Sequence, residues 1–412
     1  MKRNLFLVRS GVLTIIVLIT LPFHAQVKPG IEVLAGEQFR ILEGKRVGLV
    51  TNPTGVDSRL RSTVDILNEN VELVALFGPE HGVRGDFTAG EHVEDQTDPV
   101  TGIPVYSLYG SHRRPTPEML SGIDVIVYDI QDAGVRSYTY ISTLGLVMEA
   151  AADMGIGVVV LDRPNPLGGE RVEGPLVEEG FHSFVSAYSI PYLYGLTCGE
   201  LALMLNGEGM LEGGRKCLLK VVPMEGWERE MTFGMTGLPW VPTSPHVPSA
   251  GSAMAMAATG IIGELDPAMV GIGYTLPFRV LATEQTGAHR LAEAMNRLGL
   301  HGVLFRPLFF KPYYSAGQGV AMQGMQLHWT DPAAVRLTEI QFWFLQEARR
   351  IDPSFDPFEG RESRYRMFDQ VCGSDSIRLS LMEDFDFNRL KDYWRKDEEM
   401  FRSRSKAYYL YD

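Results

Sequence analysis

DVIVYDIQDAGVRSYTYISTLGLVMEAAADMGIGVVVLD, residues 124–162, decides the fold of this chain. It opens on an apolar run (124–130), passes through a polar glycine-containing loop, and takes up a helical pattern from Tyr138 to Met154 with apolar residues three and four apart. It closes on a second apolar run, GVVVLD at 157–162. Valine, isoleucine and leucine runs without polar alternation belong to strands buried on both faces, as in a parallel sheet covered by helices. Further runs of the same kind stand outward of this unit: RVGLVT (46–51), VELVALF (71–77) and CLLKVV (217–222). Helical patterns at Arg59–Asn68 and Thr197–Glu208 lie between them, and Thr197 with Glu200 three residues on spells a capping box. The expected architecture for 26–228 is an α/β domain with a Rossmann-like, doubly wound, mainly parallel sheet.

After about Gly226 the pattern changes. A proline-rich stretch, LPWVPTSPHVP (238–248), leads into helical Gly251–Thr259 and Ala288–Leu298. Strand-like FRVLATE (278–284), VLFRPLFF (303–310) and GVAMQGMQLHW (319–329) are interleaved with them, and helical Pro332–Arg350 and Asp386–Ser405 follow. This predicts a smaller mixed α+β domain over 229–412, with the active-site cleft between the two.

The first 25 residues have a cationic start, an apolar run from Val12 to Phe23 and a small residue, Ala25, before Gln26. They read as a secretory signal peptide, because a run of that length is too short to span a bilayer. The expectation is a periplasmic or secreted protein with no stable membrane insertion after cleavage. The net charge is −13, and without the leader 35 basic residues face 51 acidic ones, a net of −16. Nucleic acid and anionic lipid are therefore unfavourable partners. Cys198, Cys217 and Cys372 lack the paired spacing of zinc sites and read as buried, inert residues.

Ligands of an open parallel sheet bind beyond the carboxyl ends of its strands. Four polar loops stand there: TNPTGVD (51–57), GPEHGVRG (78–85), the 129–140 loop and DRPNPLGG (162–169). Glu80, bounded by Gly78-Pro79 and His81-Gly82, sits on a tight turn and is the candidate general acid, since partial desolvation favours a protonated carboxyl. Asp129 and Asp132 are candidates for a second catalytic carboxylate, and Asp162 for binding a sugar hydroxyl. Arg84, Arg136 and Arg163 share these loops and would suit an anionic substrate, because guanidinium groups bind carboxylates bidentately. Asn52, His81, Asn165, Tyr138 and Tyr140 complete the expected lining, the tyrosines as faces for sugar stacking. No G-x-S-x-G elbow, H-E-x-x-H, G-x-x-x-x-G-K-[ST] or G-x-G-x-x-G after the first strand is present. His81, Asp129 and Asp132 lack a second histidine in their loop, so neither metal nor cofactor is expected.

GLVTNPTGVD, LFGPEHGVRG, VYSLYG with RRPTPEML, VIVYDIQDAGVRSYTYISTL, VVLDRPNPLGG and VEGPLV together resemble the NamZ-type exo-β-N-acetylmuramidases, in order and over essentially the whole mature chain. The resemblance implies a glycoside hydrolase that releases N-acetylmuramic acid from the non-reducing end of peptidoglycan fragments. It also implies a Rossmann-like domain followed by a smaller one, with the catalytic glutamate of the G-P-E-H-G motif falling on Glu80. Many relatives carry E-G-T-N, then G-R-G-T and Pro-Phe, in the second domain. This chain reads IIGELDPAMVGIGYTLPF (261–278) and lacks that arginine, with Glu264 placed as a further substrate-binding residue. Two other readings remain open: a two-domain periplasmic protein that binds cell-wall sugars without turnover, and a hydrolase of peptide or ester substituents, for which no nucleophile motif is found.

Overall fold

The structure, a computed structural model, describes residues 26–85, 96–110, 112–284, 286–315 and 317–412. The expected signal peptide lies outside the described residues.

The strands are β1 (Arg46–Thr51), β2 (Glu72–Gly78), β3 (Gln96–Thr97), β4 (Pro104–Ser107), β5 (Val125–Asp129), β6 (Gly157–Leu161), β7 (Val172–Glu173), β8 (Leu193–Tyr194), β9 (Leu218–Val222), β10 (Val280–Thr283), β11 (Val303–Phe310) and β12 (Met322–Trp329). The helices are α1 (Gly30–Gly36), α2 (Thr63–Asn70), α3 (Tyr140–Met154), α4 (Cys198–Gly207), α5 (Ala250–Gly263), α6 (Ala288–Arg297), α7 (Ile340–Ile351), α8 (Glu362–Cys372), α9 (Ser376–Asp384), α10 (Phe387–Arg395) and α11 (Glu398–Ser405).

Seven strands form the main sheet in the order β3-β4-β2-β1-β5-β6-β9, all parallel except the short edge strand β3. The alternation of side chains explains the unbroken apolar runs. Val47, Leu49, Val125, Val127, Val159 and Leu161 pack on one face with Ile31, Leu34, Val64 and Leu67 of α1 and α2. Val50, Ile126, Tyr128, Val158 and Val160 pack on the other with Leu144, Met148, Leu201 and Leu205 of α3 and α4. Both faces are covered, so neither set is polar. The parallel strands have the doubly wound 3-2-1-4-5-6 order, and its reversal falls between β1 and β5, where Thr51 pairs with Asp129.

The second unit is built on the antiparallel sheet β10-β12-β11, with α5, α6 and α7 packed around it. Its core also takes in Ala133, Val135, Leu167, Tyr192 and Leu193 from loops of the first unit. Residues just past the expected division at 228/229 still bond to the first unit: Arg229 O accepts from Gly169 N at 2.6 Å, and Phe233 N donates to Pro166 O at 3.2 Å. The chain end returns there too, Tyr411 donating to Asp162 at 2.6 Å.

Candidate active site

Three strand ends and one strap build the cleft. At the end of β2 the backbone turns through Pro79–Gly82, with Gly82 N donating to Pro79 O at 2.9 Å, and both His81 and Gly82 have φ of 74°. A left-handed histidine is strained by about 1–2 kcal/mol, and such strain collects where function fixes the backbone. This turn lifts Glu80 off the strand into a half-buried position. Tyr109, from the loop after β4, hydrogen-bonds Glu80, and burial together with the Glu80 carboxylate pushes the phenol above its usual range.

Tyr138 and Tyr140, from the loop after β5, meet edge to face with centroids 5.1 Å apart. Their hydroxyls donate to Thr243 Oγ1 at 2.8 Å and Thr243 O at 2.7 Å, which pins the proline-rich strap against the strand ends. Glu80, His81, Ser137, Tyr138, Thr139, Tyr140, Ser244, Pro245 and His246 enclose a cavity of about 190 Å³. The cleft lies at the N-terminus of α3, a 15-residue helix to which Thr139 gives no side-chain cap. Its first-turn amides and the positive end of its dipole are thus available to an anion. Burial and the nearby His81 both hold the His246 imidazole below its ordinary pKa.

Beneath the tyrosines lies the sheet's reversal point. Asn52 Oδ1 accepts from Thr54 N at 3.0 Å and Thr54 Oγ1 at 2.5 Å, and Thr54 Oγ1 accepts from Gln131 N at 2.9 Å. Asp132 Oδ2 accepts from Gly134 N at 2.7 Å and from the Tyr194 hydroxyl. Asn52 Nδ2 and Asp132 Oδ1 are buried and have no hydrogen-bond partner among the described residues. Burial pushes the Asp132 carboxyl up to about 6.

The structure thus brings together Glu80, His81, Tyr138 and Tyr140, with Asn52 and Asp132 behind them. Other expected residues have structural partners instead and are not brought to the cleft lining. Asp129 is fully buried, takes Arg163 on both oxygens at 2.5 and 2.9 Å and the Thr63 hydroxyl at 2.5 Å, and so has no free face for catalysis. Arg163 is consumed by the same pair and by Val56 O. Arg84 clamps Asp98 and reaches Asp65. Arg136 is buried without a carboxylate partner and donates to Ser186 Oγ, Pro175 O, Ile190 O and Val371 O. Asp162 caps the start of α4, accepting from Thr197 Oγ1 and Gly199 N as well as from Tyr411. Asn165 closes its own loop by donating to Leu196 O and accepting from Leu167 N. Glu264 sits at the end of α5 beside Arg364, outside the cleft lining. Tyr109, Ser244 and His246 are cleft residues that the sequence reading missed; the histidine in the proline-rich run was the signal available. No group of three or more metal-ligating side chains is found among the described residues.

Comparisons with known proteins identify the family. Residues 47–251 match the family profile of "Exo-beta-N-acetylmuramidase NamZ, N-terminal", and 254–411 match its C-terminal counterpart. The chain is 41% identical over 388 residues to the peptidoglycan β-N-acetylmuramidase NamZ of Bacillus subtilis (strain 168), covering 94% of this chain and 92% of that protein. It is similar to the crystal structure of a DUF1343 family protein from Bacteroides fragilis NCTC 9343, with 53% identity, a TM-score of 0.90, and 94% and 99% of the two chains covered. A second DUF1343 protein of that organism gives 27% identity and a TM-score of 0.78 over the same shares. The chain belongs to the NamZ family of exo-β-N-acetylmuramidases and is a glycoside hydrolase.

Proposed function

We propose that this enzyme removes N-acetylmuramic acid from the non-reducing end of peptidoglycan fragments, with Glu80 as the general acid. The observation that carries the reading is the strained turn that presents Glu80 to a cleft beside the helix N-terminus. Glycoside cleavage needs a proton for the departing oxygen and stabilisation of an oxocarbenium-like state, usually from two carboxyls. Glu80 supplies the proton. Of the two aspartates, Asp132 has a lone pair to spare, and it assists water or orients the 2-acetamido group. The lactyl carboxylate is received by the amides at the start of α3 and by His81, while the three arginines are held by Asp98, Asp129 and loop carbonyls. The apolar leader fits export, which places the enzyme where its substrate is.

The test is to incubate chain 26–412 and its Glu80→Gln variant with a disaccharide bearing non-reducing N-acetylmuramic acid, and with longer glycans, following products by mass spectrometry. Wild type should release the monosaccharide from the outset, and Glu80→Gln should lose about 10²–10⁴-fold in kcat while unfolding at the same urea concentration. Near-normal turnover of the variant sinks the acid assignment. Early release of mid-sized oligosaccharides sinks the exo direction.

A further inference from the structure

The cleft continues past His246 onto two exposed aromatic rings. Tyr314 lies parallel to the His246 imidazole, with 11° between the planes and 6.1 Å between centroids. Tyr313 stands 5.8 Å from Tyr314. Both tyrosines come from the second unit, in the loop between β11 and β12, and are 54% and 43% exposed in the order Tyr313, Tyr314. Large aromatics normally bury their area, so two adjacent ring faces left in water at the mouth of a polar cleft require a reason.

Hydrogen bonds tie down the described residues on either side of the pair. Tyr313 N donates to Gly273 O at 2.9 Å, Gly319 N to Pro312 O at 2.8 Å, and Gln318 Nε2 to Tyr313 O at 3.0 Å. Gly273 has φ of 92°, and a Cβ there would run into the Tyr314 carbonyl oxygen, so only glycine permits this approach. Tyr274 then packs on Phe310 at 4.7 Å and on Tyr313 at 6.2 Å. The GIGY stretch is thus the buttress of the tyrosine pair, and rigid aromatics lose little entropy when a ligand covers them.

We propose that Tyr313 and Tyr314, with His246, form the subsite for the leaving saccharide, the apolar face of its pyranose ring stacking on Tyr314. This rests on the reading of Glu80 as acid. With the anionic sugar held between Glu80 and the α3 N-terminus, the departing sugar extends over His246 to the next available surface. That surface offers ring faces and hydroxyls and no fixed charge from these three residues, which suits a neutral N-acetylated hexose such as N-acetylglucosamine.

The experiment compares two substrates whose glycosyl part is the same: N-acetylmuramic acid β-linked to N-acetylglucosamine, and its β-fluoride, which has no leaving sugar. For Tyr314→Ala, the ratio of kcat/KM for disaccharide over fluoride should fall about tenfold, as expected when an aromatic face is lost from a stacked contact. Tyr314→Phe, which keeps the face, should restore the ratio. A ratio unchanged in Tyr314→Ala, or a Phe variant as impaired as Ala, overturns the subsite. If wild type cleaves neither substrate, the exo-muramidase reading on which the subsite rests fails by itself. The subsite is then judged by saturation-transfer NMR with N-acetylglucosamine: a signal with wild type that Tyr314→Ala loses supports it, and no signal with wild type overturns it.

Discussion

Arg136→Met is the substitution that most sharply separates a structural from a ligand-binding arginine. Arg136 is 1% exposed and makes four hydrogen bonds of 2.6–3.2 Å, one of them to Val371 O in the last turn of α8. It therefore ties the loop after β5 to the second unit. Methionine fills similar volume but leaves three carbonyls and one hydroxyl buried without a donor. At roughly 1.5 kcal/mol each, the loss is about 6 kcal/mol. Against that, burial pushes the guanidinium from its ordinary 12.5 down to about 10, and the change of 2.5 is worth roughly 3 kcal/mol of relief when the charge is removed. The expected net is a destabilisation of about 3 kcal/mol, read from urea unfolding with an unchanged m-value. Arg136→Lys should recover little of it, because one ammonium cannot reach carbonyls spread around a planar fork. At temperatures where the variant stays folded, KM for the disaccharide should stay within severalfold of wild type. A Met variant as stable as wild type, or one whose main defect is a large rise in KM, refutes the strut.

Asp129→Asn should cost about 3–5 kcal/mol in the same assay, since it leaves the buried Arg163 guanidinium without its counter-charge; a loss of turnover without loss of stability would return Asp129 to the catalytic list. Asp132, raised from 3.8 to about 6 by burial, binds its proton more tightly folded than unfolded, so its contribution to stability is fully present below about pH 4 and lost as pH rises through 6. That contribution amounts to roughly 3 kcal/mol. Asp132→Asn should therefore flatten this part of the stability profile between pH 4 and 7 while lowering kcat; an unchanged slope by calorimetry would show that the carboxyl is not protonated in the fold. His81→Gly should relieve the left-handed strain and gain about 0.5–1 kcal/mol while impairing turnover; equal or lower stability would mean that the His81 side chain is worth more to the fold than its backbone costs.

The parallel strands were legible because burial on both sides keeps the inner ones almost wholly apolar, and no other element produces five such short runs, although the edge strand β9 carries Lys220 and an exposed Leu218. Boundaries were less so. The helix expected from Arg59 begins at Thr63, because Leu60 adopts φ of 65° in a turn where Asp57 Oδ1 accepts from Arg59 N and Arg61 N, and Ser62 provides the cap. The continuous helix expected over Asp386–Ser405 breaks into α10 and α11, and that expected from Pro332 begins at Ile340. These errors are local choices between competing hydrogen bonds, which apolar spacing does not register. The tight turn that presents Glu80 to the cleft was legible from its frame of Gly78-Pro79 and His81-Gly82. His246, Tyr313 and Tyr314 were not, since they reach the cleft only through the tertiary packing of the strap and the second unit.

The arginines show why charge at a strand end is a poor guide to a ligand. A doubly wound sheet must satisfy the polar backbone of every strand-end loop, and a guanidinium with five donors is well suited to that task. Where the guanidinium already holds three carbonyls and a hydroxyl, as at Arg136, a substrate would compete with bonds that hold the loop. The free donor capacity lies instead in elements with no side-chain cost to maintain, the first-turn amides of α3, whose cap is missing. On the proposal that Glu80 is the acid, its strained turn beside that helix assigns both the anionic sugar and the proton to the first unit. If the proposed subsite at Tyr313 and Tyr314 holds, leaving-group preference can change in the second unit without disturbing Glu80.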